Sequence, residues 1–121
     1  MSPEDKPYEL FEAFVQRLDK GLADAGAAAE TLVRITSFYP NLSAEVVESF
    51  KAYSAKRAEI AGQMDQSTLK PISTAKADVM ADATEESVAY VAAKARIETV
   101  DRYIAALKFF VQGLSNEHRN A

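Results

Sequence analysis

The stretch "YIAALKFFVQGL", residues 103–114, is the most apolar in the chain, and its spacing decides how the rest is read. Ile104, Leu107, Val111 and Leu114 recur at steps of three and four, which places them on one face of a helix and rules out the strict alternation of a strand. Toward the N-terminus the same face collects Val100, Ile97, Ala93 and Tyr90, so the seam continues at heptad spacing, as in packed or coiled helices. A bilayer is not what buries it. A spanning helix needs about 20 mostly apolar residues, whereas Asp101 and Arg102 abut this run and Lys108 interrupts it. A helix lying on an anionic membrane surface usually has a Lys/Arg-rich polar face, but here that face includes Glu98 and Asp101. The seam therefore calls for a protein core.

Extended further back, the seam reaches Ala83 and Val79 in phase, although it then places Glu86 on the apolar side. Two arrangements fit residues 73–114: one helix started by Ser73 or Thr74, or two helices jointed near Asp82 or Thr84. The continuous phase favours the single helix. Gly113 is the expected terminator, and residues 115–121, with the chain's single histidine at His118, are expected to form a polar tail.

Two earlier segments carry the same signature. From Pro7 to Tyr39, the residues Phe11, Val15, Leu18, Leu22, Ala25, Ala29 and Leu32 alternate in steps of four and three, with Leu10, Phe14 and Val33 widening the stripe. Gly21 and Gly26 weaken this helix but let another backbone come close, so a kinked, closely packed helix is expected there rather than a break. Pro40 closes the segment, and Asn41 or Ser43 is expected to cap the next helix, whose seam is Val46, Phe50, Tyr53, Arg57, Ile60 and Met64. "DQSTLKPIST", residues 65–74, reads as a connection because Pro71 disfavours helix at Lys70. The expected fold is all-α: one domain over residues 1–121, an antiparallel bundle of three long helices, the third open to division, after a short polar N-terminus at residues 1–6.

At 121 residues the chain can bury a core without a staple, and with no cysteine it forms no disulfide. A net charge of −4 argues against a phosphate-binding surface, so nucleic acid is not an expected partner. The opening "MSPEDKPYEL" has acidic residues where an export signal would be basic and then apolar, which together with the missing cysteine points to a cytoplasmic location. No constellation for chemistry is present. There is no Glu-x-x-His step for a di-metal bundle, no cysteine or histidine set for zinc, no base to activate a serine, and no phosphate loop. The carboxylate pairs Asp78/Asp82 and Glu85/Glu86 suit a solvated helix face and a first turn. No catalytic residue, metal or cofactor is assigned. Glu30 with Arg34 and Glu98 with Arg102 sit four apart in the order that supports an exposed helix face.

Two residues break the pattern. Arg57 stands in the middle of an apolar stripe with Tyr53 beside it. It must snorkel, pair with an internal carboxylate such as Glu86 to fix helix register, or meet a partner or anionic ligand near Tyr53 and Tyr90. Phe109 lies about 170° from the centre of the local core seam at about 100° per residue, on a face shared with Glu98, Arg102 and Ala105. An aromatic there is either a solitary exposed residue or a contact for another helix or chain. These features favour a non-enzymatic interaction or assembly protein, an accessory or structural subunit whose partner is protein, either a second copy in a homo-oligomer or a larger complex. A small-ligand or sensor bundle with its site at Arg57 is the alternative. A third is an amphipathic protein that acts on lipid or polymer surfaces.

Overall fold

The computed structural model describes residues 6–120, with side chains described as far as Gly113. The chain is all-α. Its helices are α1 (Lys6–Asp19), α2 (Ala25–Thr36), α3 (Tyr39–Ala61), α4 (Thr74–Asp82) and α5 (Glu85–Asn120). Between α3 and α4 lies a two-residue antiparallel ladder, β1 (Met64–Asp65) against β2 (Lys70–Pro71), with Met64 opposite Pro71. The chain forms two compact units, one made of residues up to Asn41 and from Arg96 onward, the other of Leu42–Ala95. Among the described residues, no helix is long and apolar enough to cross a membrane.

In the first unit, the expected single helix over Pro7–Tyr39 is two. Gly21 has φ +71, and the hydrogen bonds Gly21 N to Leu18 O (3.0 Å) and Leu22 N to Arg17 O (2.8 Å) close a Schellman turn, which satisfies the last carbonyls of α1 and turns the chain away. Three residues later Asp24 caps α2, its carboxylate accepting from the Ala27 amide at 2.7 Å. The break changes the phase of the apolar stripe. Leu22 and Val33 are exposed, while Phe14 on α1 and Ala27, Ala28 and Ile35 on α2 are buried. Here α1 packs on α2. The two buried alanines keep little side chain between α2 and its neighbours, as close helix packing requires.

The helix boundary expected at Pro40 is present but lies just before it, so Pro40 sits in the first turn of α3, where its missing N–H costs no helical hydrogen bond. Asn41 and Ser43 are accordingly inside α3 rather than capping it, and the joint with α2 is Ser37–Phe38.

In the second unit, Ser73 caps α4 by accepting from the Lys76 amide at 3.2 Å. The helix favoured over 73–114 is interrupted at Ala83–Thr84, where Thr84 Oγ1 accepts from the Ser87 amide at 3.2 Å and starts α5. The hairpin loop is organised by Asp65. Its Oδ1 accepts from the Ser67 amide (2.9 Å) and hydroxyl (2.6 Å), and its Oδ2 accepts from Lys76 Nζ (2.9 Å). The Ser67 hydroxyl bond, followed by the lysine bond, holds the Asp65 carboxyl well below the usual carboxylate range. The same turn forces Leu69 to φ 59, a left-handed conformation in a residue that is 79% exposed.

Helix α5 keeps the seam read from the sequence: Ala93, Val100 and Leu107 are buried at intervals of seven. Gly113 is not its terminator. The backbone there is not left-handed, and the helix continues to Asn120 through residues expected to form a tail. The His118 side chain lies outside the described residues, as do residues 1–5 of the expected polar N-terminus.

Candidate functional site

The second unit gathers the residues singled out around Arg57. Ile60 on α3 and Ala77 and Ala81 on α4 form its buried cluster, with Tyr53 and Ile72 packed against it. Ala77 and Ala81 are one turn apart, so their neighbours Asp78 and Asp82 are also one turn apart beside that contact. On α3, Tyr53 and Arg57 have the same spacing. The two pairs meet in antiparallel order. Tyr53 donates its hydroxyl to Asp82 Oδ1 at 2.8 Å, and Arg57 approaches Asp78 Oδ1 with Nε at 2.7 Å and Nη2 at 2.6 Å. The hydrogen bond to Asp82 raises the Tyr53 hydroxyl above its ordinary pKa, because ionisation would place a second negative charge against the carboxylate.

Arg57 therefore finds a carboxylate partner, and the partner is Asp78, not Glu86. Glu86 is half-buried in the first turn of α5, where its charge faces the positive end of the helix. Of the three alternatives for Arg57, pairing with a carboxylate is the one seen, but in place of the Arg57–Glu86 register pair there are two rungs between α3 and α4, since α4 is a separate helix folded back by the hairpin. Their signal was present in the sequence as the matched four-residue spacings of Tyr53/Arg57 and Asp78/Asp82. The Asp78/Asp82 pair alone suggested only a solvated face.

Tyr90 joins Tyr53 from α5, with the rings stacked at a 5.8 Å centroid distance and 16° between planes. Phe50 tilts onto Tyr90 at 5.3 Å. Lys94 Nζ lies 5.3 Å from the centroid of the Tyr90 ring, a cation–π distance. Next to this aromatic group is an open cleft of about 390 Å³ lined by Phe50, Tyr53, Arg57, Ile72 and Asp78 among others. Its lining combines apolar and aromatic side chains with Ser54, Thr74 and the Arg57–Asp78 ion pair. Such a cleft can hold a small flat molecule.

The first unit holds the other set. Tyr103 stacks on Phe11 at 4.4 Å and 14°, and Phe110 meets Phe14 edge-on at 5.6 Å. Both aromatics thus flank the core stripe of α5. Phe109 points elsewhere: it is 73% exposed, and Arg102 and Ala105 on the same face are exposed as well. Glu30 and Arg34 make the expected ion pair at 3.1 Å, whereas no ion pair joins Glu98 to Arg102 among the described residues. The charge of Asp101 raises the Tyr39 hydroxyl above its ordinary pKa. A groove of about 420 Å³ lined by Lys6, Glu9, Leu10, Arg34, Ser37 and Phe38, between α1 and the end of α2, was not expected from the sequence. It exists because the segment breaks at Gly21.

Among the described residues, no group of three or more His, Cys, Asp or Glu side chains converges to hold a metal ion. No protein-family model, curated protein or solved structure matches the chain.

Proposed function

We propose that the protein is a non-enzymatic interaction or assembly protein, acting through protein contacts on the outer face of α5. The observation that supports this most directly is Phe109. Its neighbours Leu107 and Phe110 turn into the packed side of the helix, while its own ring is 73% exposed beside Arg102 and Ala105. Aromatic and arginine side chains are the residue types enriched where protein surfaces meet, and an exposed Phe gains most when a partner removes it from water. The test is absolute mass by light scattering across a wide concentration range, on wild type and Phe109→Ser. An oligomer that the substitution dissociates supports the proposal, and a monomer in both refutes self-association through this face.

A second reading is favoured by the cleft beside Tyr53, Tyr90 and Arg57, which would suit a small aromatic anion. Saturating a real site with such a ligand, at about 100 times its dissociation constant, stabilises a fold by about 2.7 kcal/mol. Under this reading, a small aromatic carboxylate such as benzoate raises the unfolding temperature of wild type but not of Arg57→Met.

A further inference from the structure

Helix α5 carries two seams, of which only one is buried. Opposite Ala93, Val100 and Leu107, the positions Val88, Val91, Ala95, Glu98, Arg102, Ala105 and Phe109 recur at alternating steps of three and four, and every one of them is exposed. At about 100° per residue this second stripe lies about 170° from the first. A three-four repeat is the spacing by which one helix packs along another.

The order of residues in the outer stripe identifies the partner. Steps of four, three, four, three and four from Val91 to Phe109 read the same in both directions. Laid antiparallel on itself about the level of Val100, the stripe sets Glu98 opposite Arg102, Ala95 opposite Ala105 and Val91 opposite Phe109, each pair occurring twice. In a parallel pairing Glu98 would face Glu98 and Arg102 would face Arg102, an arrangement that like charges oppose. Among the described residues no ion pair joins Glu98 to Arg102 of the same copy. The facing alanines let the two helices approach closely, while phenylalanine against valine supplies the apolar contact at each end.

We propose that α5 binds α5 of a second copy of this chain as an antiparallel, two-fold symmetric pair, held by two reciprocal Glu98–Arg102 ion pairs between copies and by Phe109 packed against Val91. The pairing rests on the protein-contact reading and names its partner. A two-fold interface uses the same patch on both copies, so residue i meets j while j meets i, as these positions do.

Charge exchange tests this directly. Glu98→Arg and Arg102→Glu each place like charges at both rungs, so either variant alone should sediment as a monomer near 13.2 kDa at concentrations where wild type is dimeric. An equal mixture of the two should return to dimer mass, because the copies now complement one another, and so should the doubly exchanged variant E98R/R102E. All these positions are exposed, and unchanged circular dichroism of each variant controls for folding. Since the chain has no cysteine, Ala95→Cys and Ala105→Cys report orientation. Mixed together they should oxidise to a disulfide-linked pair that neither forms alone.

Wild type that stays monomeric at every concentration overturns the pairing. So do single charge variants that remain dimeric, or a double exchange as monomeric as the singles. If Phe109→Ser dissociates an oligomer that charge exchange does not restore, the geometry fails while the contact reading stands. If wild type and Phe109→Ser are both monomeric, the self-association reading fails with it.

Discussion

Leu107 and Phe109 stand two residues apart on α5 and should respond in opposite ways to truncation. Leu107 is 0% exposed and among the largest fully buried side chains, whereas Phe109 is 73% exposed. Leu107→Ala removes buried methyl and methylene groups and leaves a cavity that the packed surroundings fill only in part, at a cost of about 2.7–5 kcal/mol. Phe109→Ala removes a larger side chain that sits mostly in water, and exposed substitutions stay within about 0.5 kcal/mol. With a urea slope of about 1.5 kcal/mol/M, Leu107→Ala lowers the unfolding midpoint by about 2–3 M, and Phe109→Ala shifts it by less than about 0.4 M. Urea unfolding followed by circular dichroism, at a protein concentration low enough for wild type to be monomeric, reads both. A midpoint loss for Phe109→Ala equal to that of Leu107→Ala would refute the assignment of inner and outer faces on α5. That result would also remove the basis for the contact surface.

The same substitution at two glycines should have opposite signs: Gly21→Ala destabilises by about 1 kcal/mol because φ +71 is a conformation that L side chains rarely adopt and that strains them, while Gly113→Ala, inside α5 with open space around it, stabilises by about 0.5–1 kcal/mol. Leu69→Gly relieves a left-handed leucine that packs little, and a gain of about 0.5–1 kcal/mol in thermal or urea unfolding is expected despite the added freedom of the unfolded chain. A double-mutant cycle on Arg57 and Asp78, whose side chains are 49% and 45% exposed, should return a coupling of about 0.2–1 kcal/mol, and one on Arg57 and Glu86 should return none. Asp65 has a folded pKa below its unfolded one, so its contribution is present above the ordinary carboxylate range and is lost as pH falls toward the folded value. Asp65→Asn should therefore lower the melting temperature most at pH 6 and least near pH 2, and a gap that widens on acidification would refute the assignment.

What could be read in advance followed from local geometry. The heptad seam on α5 was legible because helix periodicity acts within a few turns, and the burial of Ala93, Val100 and Leu107 follows it. The position of Phe109 off that seam was legible for the same reason. Arg57 was visible as an anomaly, but its partner was not, since Asp78 becomes its neighbour only when α4 folds back on α3. The break at Gly21 was present in the letters "GLAD", residues 21–24, a C-terminal glycine followed by an N-cap aspartate. The stripe of apolar residues running past it in phase outweighed that signal, although such a stripe does not require an unbroken helix.

The sequence by itself determined the all-α class and the buried face of α5, because side-chain periodicity and propensity are properties of neighbouring residues; the expected stripes elsewhere did not hold throughout, since Leu22, Val33 and Phe50 are exposed and Met64 is an exposed residue of β1 rather than a seam position of α3. The tertiary structure alone decided where helices end, that Pro40 lies in the first turn of α3, that Gly113 lies within α5, and that Tyr53 and Arg57 are bound by Asp82 and Asp78. Those outcomes depend on which orphan backbone groups find caps and which side chains meet across a turn. Both are set by contacts between residues far apart in the chain, where the free-energy differences between a kink and a break, or between one carboxylate partner and another, are about 1 kcal/mol.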